Sequence, residues 1–249
     1  MTRLAIIGGT GLTSLPGLVI SRQQDQQTPW GSPSGALVFG TYAGTEIVFL
    51  ARHGNPHAIP PHKVNYRANI WALKENEVGD VISINAVGGI TKEMYPGRLI
   101  VPDQIIDYTW SRKHTYYDDN PGEIVYIDFT KPFCAKLRQH LITAGTECDE
   151  INLYPTGTYG VTQGPRLESA AEIRRMERDG CDIVGMTAMP ETALARELGI
   201  NYVSCSLVVN WAAGKSCESI TMKMIDDNLK EGICKVNTLL AKGIPRIVA

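Results

Sequence analysis

Residues 4–11, Leu4-Ala5-Ile6-Ile7-Gly8-Gly9-Thr10-Gly11, run four apolar side chains straight into a glycine turn. A short apolar run bounded by glycine reads as a buried strand, and the turn gathers backbone amides at its end. The pattern recurs. Glu46-Ile47-Val48-Phe49-Leu50-Ala51 ends at Arg52-His53-Gly54, and Val81-Ile82-Ser83-Ile84 ends at Asn85-Ala86-Val87-Gly88-Gly89. Cys181 to Gly185 ends at Met186-Thr187, and the run from Tyr202 to Val209 ends at Asn210.

Helical periodicity lies between some of these runs. Glu168 to Arg178 has apolar residues at helical spacing and stops at Gly180; Pro190 to Leu198 starts with proline and stops at Gly199. Strands alternating with helices predict an α/β fold. We expect a single domain, residues 1–249, with a central mixed, largely parallel twisted sheet flanked by helices. Ligands of such sheets bind beyond the carboxyl ends of the strands. Thr10, Arg52, His53, Asn85, Ala86, Thr187 and Asn210 are therefore expected to share one site.

The chain's 24 basic and 26 acidic residues give a net charge of −2, so no basic surplus recruits nucleic acid or anionic lipid. No apolar run reaches the length of a membrane span, and the start MTRLAIIGGTG lacks the core of a signal peptide. Six scattered cysteines without a Cys-x-x-Cys pair read as reduced thiols of a cytoplasmic protein's core, and no metal site is implied. Trp110 to Pro132, polar, aromatic and turn-rich, reads as an excursion from the domain.

Read as G-x-G-x-x-G from Gly9, the first turn has Ser14 at the last glycine position, which argues against a dinucleotide. A smaller anion fits better. Amides near Thr10, its hydroxyl, and the amides of Ala86-Val87-Gly88 can cradle phosphate, with Arg52 as a two-pronged cation. Each residue also has a plainer reading: Thr10 as a turn cap, Arg52 in a surface ion pair, Thr187 as an N-cap.

Two longer stretches are more specific. LARHGNPHAIPPHKVNYRANIWALKE (Leu50 to Glu75) resembles the phosphate-binding region of 5′-methylthioadenosine phosphorylases. QGPRLESAAEIRRMERDGCDIVGMTAMPETALARELGINYVSCSLVVN (Gln163 to Asn210) resembles the base- and ribose-binding half of trimeric purine nucleoside phosphorylases. The resemblance implies reversible phosphorolysis of a purine nucleoside in a homotrimer, a neighbouring subunit closing the sugar pocket. Orthophosphate is then a co-substrate, and no cofactor is needed. It further implies that Thr10, Arg52, His53, the Ala86 amide and Thr187 hold phosphate, that Met186 packs under the sugar, and that Leu167 covers the base.

Two departures bear on the substrate. Where methylthioadenosine enzymes have an Asp-x-Asp pattern, this chain reads Asn210-Trp211-Ala212, and Glu168 stands where they usually have a small hydroxyl residue. Glu168 can accept the N1–H of a 6-oxopurine and Asn210 can donate to its carbonyl or N7, so both are expected to read the leaving base. The plainer readings are a helix cap for Glu168 and backbone bonding for Asn210. Ser219 to Asp226 has no histidine for a 5′-hydroxyl; Met222 and Ile225 fall where relatives line a methylthio pocket, and Tyr126 and His57 are further candidates there. Met222 and Ile225 equally fit the core face of a helix. The combination implies 5′-methylthioinosine. The alternatives are an inosine/guanosine phosphorylase, a methylthioadenosine phosphorylase, a water-using nucleosidase and a non-catalytic purine-binding module.

Overall fold

The computed structural model describes residues 2–118, 125–217 and 219–248. Eleven strands form one sheet: β1 (Arg3–Gly8), β2 (Val19–Gln24), β3 (Leu37–Tyr42), β4 (Thr45–Ala51), β5 (Val78–Gly89), β6 (Leu99–Ile100), β7 (Gln104–Asp107), β8 (Leu153–Tyr154), β9 (Thr158–Val161), β10 (Ile183–Gly185) and β11 (Asn201–Trp211). The main order is β2-β3-β4-β1-β5-β10-β9-β7, and β11 leaves β5 to carry β6 and β8. Pairs β1–β4, β1–β5, β5–β11, β9–β10, β7–β9 and β6–β8 are parallel. The hairpins β2–β3–β4 and the pairs β5–β10 and β6–β11 are antiparallel, so the sheet is mixed and mostly parallel, as expected.

Period-two alternation assigns each face. In β1, Leu4 and Ile6 join a core with Leu137 and Leu141 of α2 (Ala135–Thr146) and Val236 and Leu240 of α5 (Met222–Val248). Ala5 and Ile7 point the other way, to Ile70 and Leu73 of α1 (Tyr66–Glu75) and Leu194 of α4 (Ala188–Glu197). Helices on both faces explain why the central strands are apolar without a solvent side.

Several boundaries differ from the expected ones. The third run continues through Asn85-Ala86-Val87-Gly88-Gly89 as strand β5, where a loop was expected. The helix placed at Glu168 is α3 (Ala170–Arg178): Ser169 caps it, its hydroxyl accepting from the Glu172 N–H while Glu172 reaches back to the Ser169 N–H. All six cysteines are free, but Cys217 and Cys234 are exposed rather than in the core. Residues 119–124 of the Trp110–Pro132 excursion lie outside the described residues. Among the described residues no helix is long and apolar enough to cross a membrane.

The long strand β5 creates the site. Along one edge it pairs with β1 as far as Ser83 and then with β10 from Gly88 onward. Between those points the edge has no strand partner among the described residues, and a notch opens in the sheet. Gly9 keeps the notch tight: a β-carbon there would lie 2.4 Å from the Ile84 carbonyl oxygen.

Candidate active site

A cavity of about 160 Å³ fills this notch at the carboxyl ends of β1, β4, β5, β10 and β11. Thr10, Arg52, His53, Asn85, Ala86, Thr187 and Asn210 all line it, so the expected convergence of strand ends occurs. Leu167, Glu168, Met186 and Ile225 complete the wall, with Ile220 from the segment before α5.

Arg52 differs from its sequence reading. It is wholly buried rather than a surface ion pair, and its two-pronged face is already engaged: Nε donates to Glu191 Oε2 at 2.7 Å and Nη2 to Glu191 Oε1 at 2.8 Å. Nη2 also donates to Ser83 Oγ at 2.5 Å, and Nη1 to the Ile84 carbonyl at 3.1 Å. Among the described residues these bonds leave one guanidinium N–H for an anion, so the fork itself cannot grip phosphate. Burial works against the charge, but Glu191 overrides it and holds Arg52 firmly protonated. Glu191 is fixed in turn by the Tyr202 hydroxyl, which donates to Oε1 at 2.7 Å.

Other donors surround the notch. Successive residues of a strand point their amides to opposite edges. The Ala86 N–H therefore faces the same open edge as the Ile84 carbonyl. The Thr187 hydroxyl donates to Asn85 Oδ1 at 2.9 Å; it sits at the N-cap position of α4 but makes no cap bond. Asn85 is held by donating to Ser204 Oγ at 2.8 Å. His53 lies 2.7 Å from the Ile59 carbonyl through Nδ1, which must therefore carry the proton. Burial, then the Arg52 charge, lowers its pKa to about 4, so the imidazole is neutral near pH 7 and keeps an acceptor at Nε2.

On the base side, Glu168 is free of the helix cap. Its Oε1 accepts from the Thr162 hydroxyl at 2.6 Å, and burial raises its pKa. Asn210 sits beside a bulge where β11 slips against β5 between Val208 and Asn210. Its Nδ2 donates to the Trp211 carbonyl at 2.7 Å, so part of the amide is satisfied internally as the plainer reading held. The carbonyl oxygen of the Asn210 side chain has no bond among the described residues.

The candidates for the 5′ end divide. Ile225 lines the cavity and is buried. Met222 and Tyr126 do not line it: they are 68% and 88% exposed, Met222 because it opens α5 at the surface. His57 is also exposed, stacked at a tilt against His53 with ring centroids 4.6 Å apart. Within one copy of the chain these three therefore stand outside the cavity.

Three residues were not foreseen. Glu191 lies 139 positions from Arg52 and looks like an ordinary helix acid. Thr162 follows β9 with no motif of its own. Arg112, from the excursion, donates to the carbonyls of Thr162, Gln163, Met186 and Met189 at 2.6–3.2 Å, tying the base-side loop to the Met186 loop.

One cavity at the strand ends thus brings together a donor-lined notch, the Glu168 carboxylate and an apolar end that includes Ile220 and Ile225. The phosphorylase superfamily model matches residues 3–244, and the chain belongs to that family. A probable S-methyl-5′-thioinosine phosphorylase of Pseudomonas syringae pv. tomato is 52% identical, covering 97% of this chain and 98% of that protein. The 6-oxopurine nucleoside phosphorylase of Pyrococcus furiosus is 42% identical over 99% of this chain and 94% of its own. The structure of methylthioadenosine phosphorylase from Schistosoma mansoni in complex with adenine superposes with a TM-score of 0.94 at 31% identity, covering 100% of this chain and 92% of that one.

Proposed function

We propose that the chain cleaves 5′-methylthioinosine with orthophosphate, giving hypoxanthine and 5-methylthioribose 1-phosphate in purine salvage. The observation that carries this is that Glu168, with Oε1 taken by the Thr162 hydroxyl, and Asn210 share one cavity with an apolar lining that includes Ile220 and Ile225. A 6-oxopurine presents N1–H to Glu168 and its carbonyl or N7 to Asn210, whereas adenine would set its N1 lone pair against the carboxylate. Phosphate sits among Thr10, the Ala86 amide, Thr187 and the remaining Arg52 N–H, with Nε2 of His53 accepting the proton of hydrogen phosphate.

The chemistry follows from positioning. As the C1′–N9 bond lengthens, the sugar becomes cationic over Met186 and meets phosphate from below; the departing purine becomes anionic, and the Asn210 amide stabilises it. Leu167 covers the base. No metal or organic cofactor enters this scheme.

The enzyme works in the cytoplasm as a homotrimer, in which a neighbouring copy closes the sugar end; Tyr126, exposed in the single chain, is suited to that contact. An inosine-type 6-oxopurine phosphorylase shares the base reading and differs at the 5′ group, where the buried Ile225 favours a thioether over a hydroxyl. The test is release of hypoxanthine from 5′-methylthioinosine with and without phosphate. Strict phosphate dependence is expected; equal release in its absence would mean that water is the nucleophile.

A further inference from the structure

The loop that carries Glu168 contains more polar groups than a base reader needs, and their pairing is selective. Arg166, two residues away, turns to Glu172 through Nη1 and Nη2 at 2.9 and 2.7 Å. Ser169 and Glu172 complete the cap of α3. Glu168 is thus left to one side chain, the Thr162 hydroxyl. Thr162 is itself held by its backbone: its N–H donates to the Gly185 carbonyl at 2.8 Å, and its carbonyl accepts from Arg112 Nη2 at 3.2 Å.

We propose that Thr162 is a specificity-determining positioning residue: its hydroxyl takes one oxygen of Glu168, so that the other is the single acceptor offered to the purine. This rests on Glu168 reading the base. A hydroxyl has one proton, and the 2.6 Å contact to Glu168 Oε1 claims it over the 3.3 Å contact to the Gly185 carbonyl. The bond does two things. It fixes the carboxylate rotamer, and it favours the ionised, acceptor-only form in a site whose burial favours the neutral one. Ionisation matters to base choice because a protonated Glu168 would donate to the N1 of a 6-aminopurine and accommodate it. The surrounding charges are Glu172, which opposes ionisation, and Arg166, which assists it. Asp107 and Arg175 line the opening on the far side of Glu168, and the paired Arg52 and neutral His53 stand across the cavity.

The experiment compares wild type with Thr162→Val, Thr162→Ser, Glu168→Gln and the double variant Thr162→Val/Glu168→Gln. It measures kcat/KM for 5′-methylthioinosine and 5′-methylthioadenosine between pH 5 and 8. Thr162→Val should reduce the preference for the 6-oxopurine roughly tenfold and move the acid limb of its kcat/KM up by about one pH unit. Thr162→Ser should restore both. On the Glu168→Gln background the valine should change neither. If the valine variant folds poorly, Thr162→Ala makes the same comparison. An unmoved acid limb and preference in Thr162→Val, or an equal effect with and without the Glu168 carboxylate, would overturn the proposal. If Glu168→Gln alone leaves base preference unchanged, the base reading fails, and this inference falls with it.

Discussion

Arg52 and Glu191 meet side-on in the interior, Nε to Oε2 at 2.7 Å and Nη2 to Oε1 at 2.8 Å, both side chains fully buried. The pair cancels the positive charge that the strand-end arginine would otherwise bring to the notch. In the proposed phosphate site, attraction then rests on oriented N–H and O–H groups and on the last Arg52 N–H. Removing the acid while leaving the buried cation is expected to destabilise the protein by about 3–5 kcal/mol. Urea unfolding of Glu191→Ala measures this; a midpoint equal to wild type would mean that the pair is not what holds Arg52. Phosphate KM should rise in the same variant, because the arginine loses its orientation.

His53 predicts a pH dependence of stability. Its pKa falls from an ordinary 6.5 in the unfolded chain to about 4 in the fold, so between those values the unfolded chain binds more protons. The His53 contribution is therefore whole above pH 6.5 and is lost as pH falls toward 4, up to about 3 kcal/mol. Comparing unfolding free energies at pH 7.5 and 4.5 for wild type and His53→Gln isolates it. The variant should lose distinctly less on acidification; an equal loss would contradict a buried neutral imidazole.

Asn210→Asp puts a carboxylate oxygen where Nδ2 now donates to the Trp211 carbonyl at 2.7 Å. The side chain must turn, and it can no longer donate to the leaving base. We expect kcat/KM for 6-oxopurine nucleosides to fall by roughly a hundredfold or more, with 6-aminopurine nucleosides gaining relative to them. Steady-state kinetics with both bases decides it, and unchanged base preference would remove Asn210 from the account.

Ile225 is the one foreseen 5′-pocket residue that reaches the cavity. Ile225→Ala should lower kcat/KM for 5′-methylthioinosine by at least tenfold and affect inosine less, since a hydroxyl gains little from the lost contact. Parallel losses for the two substrates would place Ile225 in the core alone.

Much of this site was legible because a parallel sheet gathers strand ends, so short apolar runs closing on Thr10, Arg52, Asn85, Thr187 and Asn210 were enough to foresee one cavity. The run of β5 through Asn85-Ala86-Val87-Gly88-Gly89 was not legible. Gly88 and Gly89 signal a turn locally, yet here both pair with β10, and a β-carbon at Gly89 would lie 1.7 Å from the Met94 carbonyl oxygen, a close approach that explains glycine within a strand. Nor could the sequence show that Arg52 is already paired, because Glu191 reaches it from a helix far along the chain. Glu168 could also be read as a cap for α3; the Ser169–Glu172 box takes that role instead. Tyr126 and Met222 were drawn in by likeness alone, and both lie exposed, outside the cavity of the single chain.

In the proposed function, Glu168 and Asn210 select a 6-oxopurine while the apolar end selects a 5′-thioether. The most direct test is the relative kcat/KM for 5′-methylthioinosine, 5′-methylthioadenosine and inosine at saturating phosphate. 5′-Methylthioinosine is expected to exceed both by an order of magnitude or more. A preference for 5′-methylthioadenosine would contradict the base reading, and a preference for inosine would contradict the pocket reading.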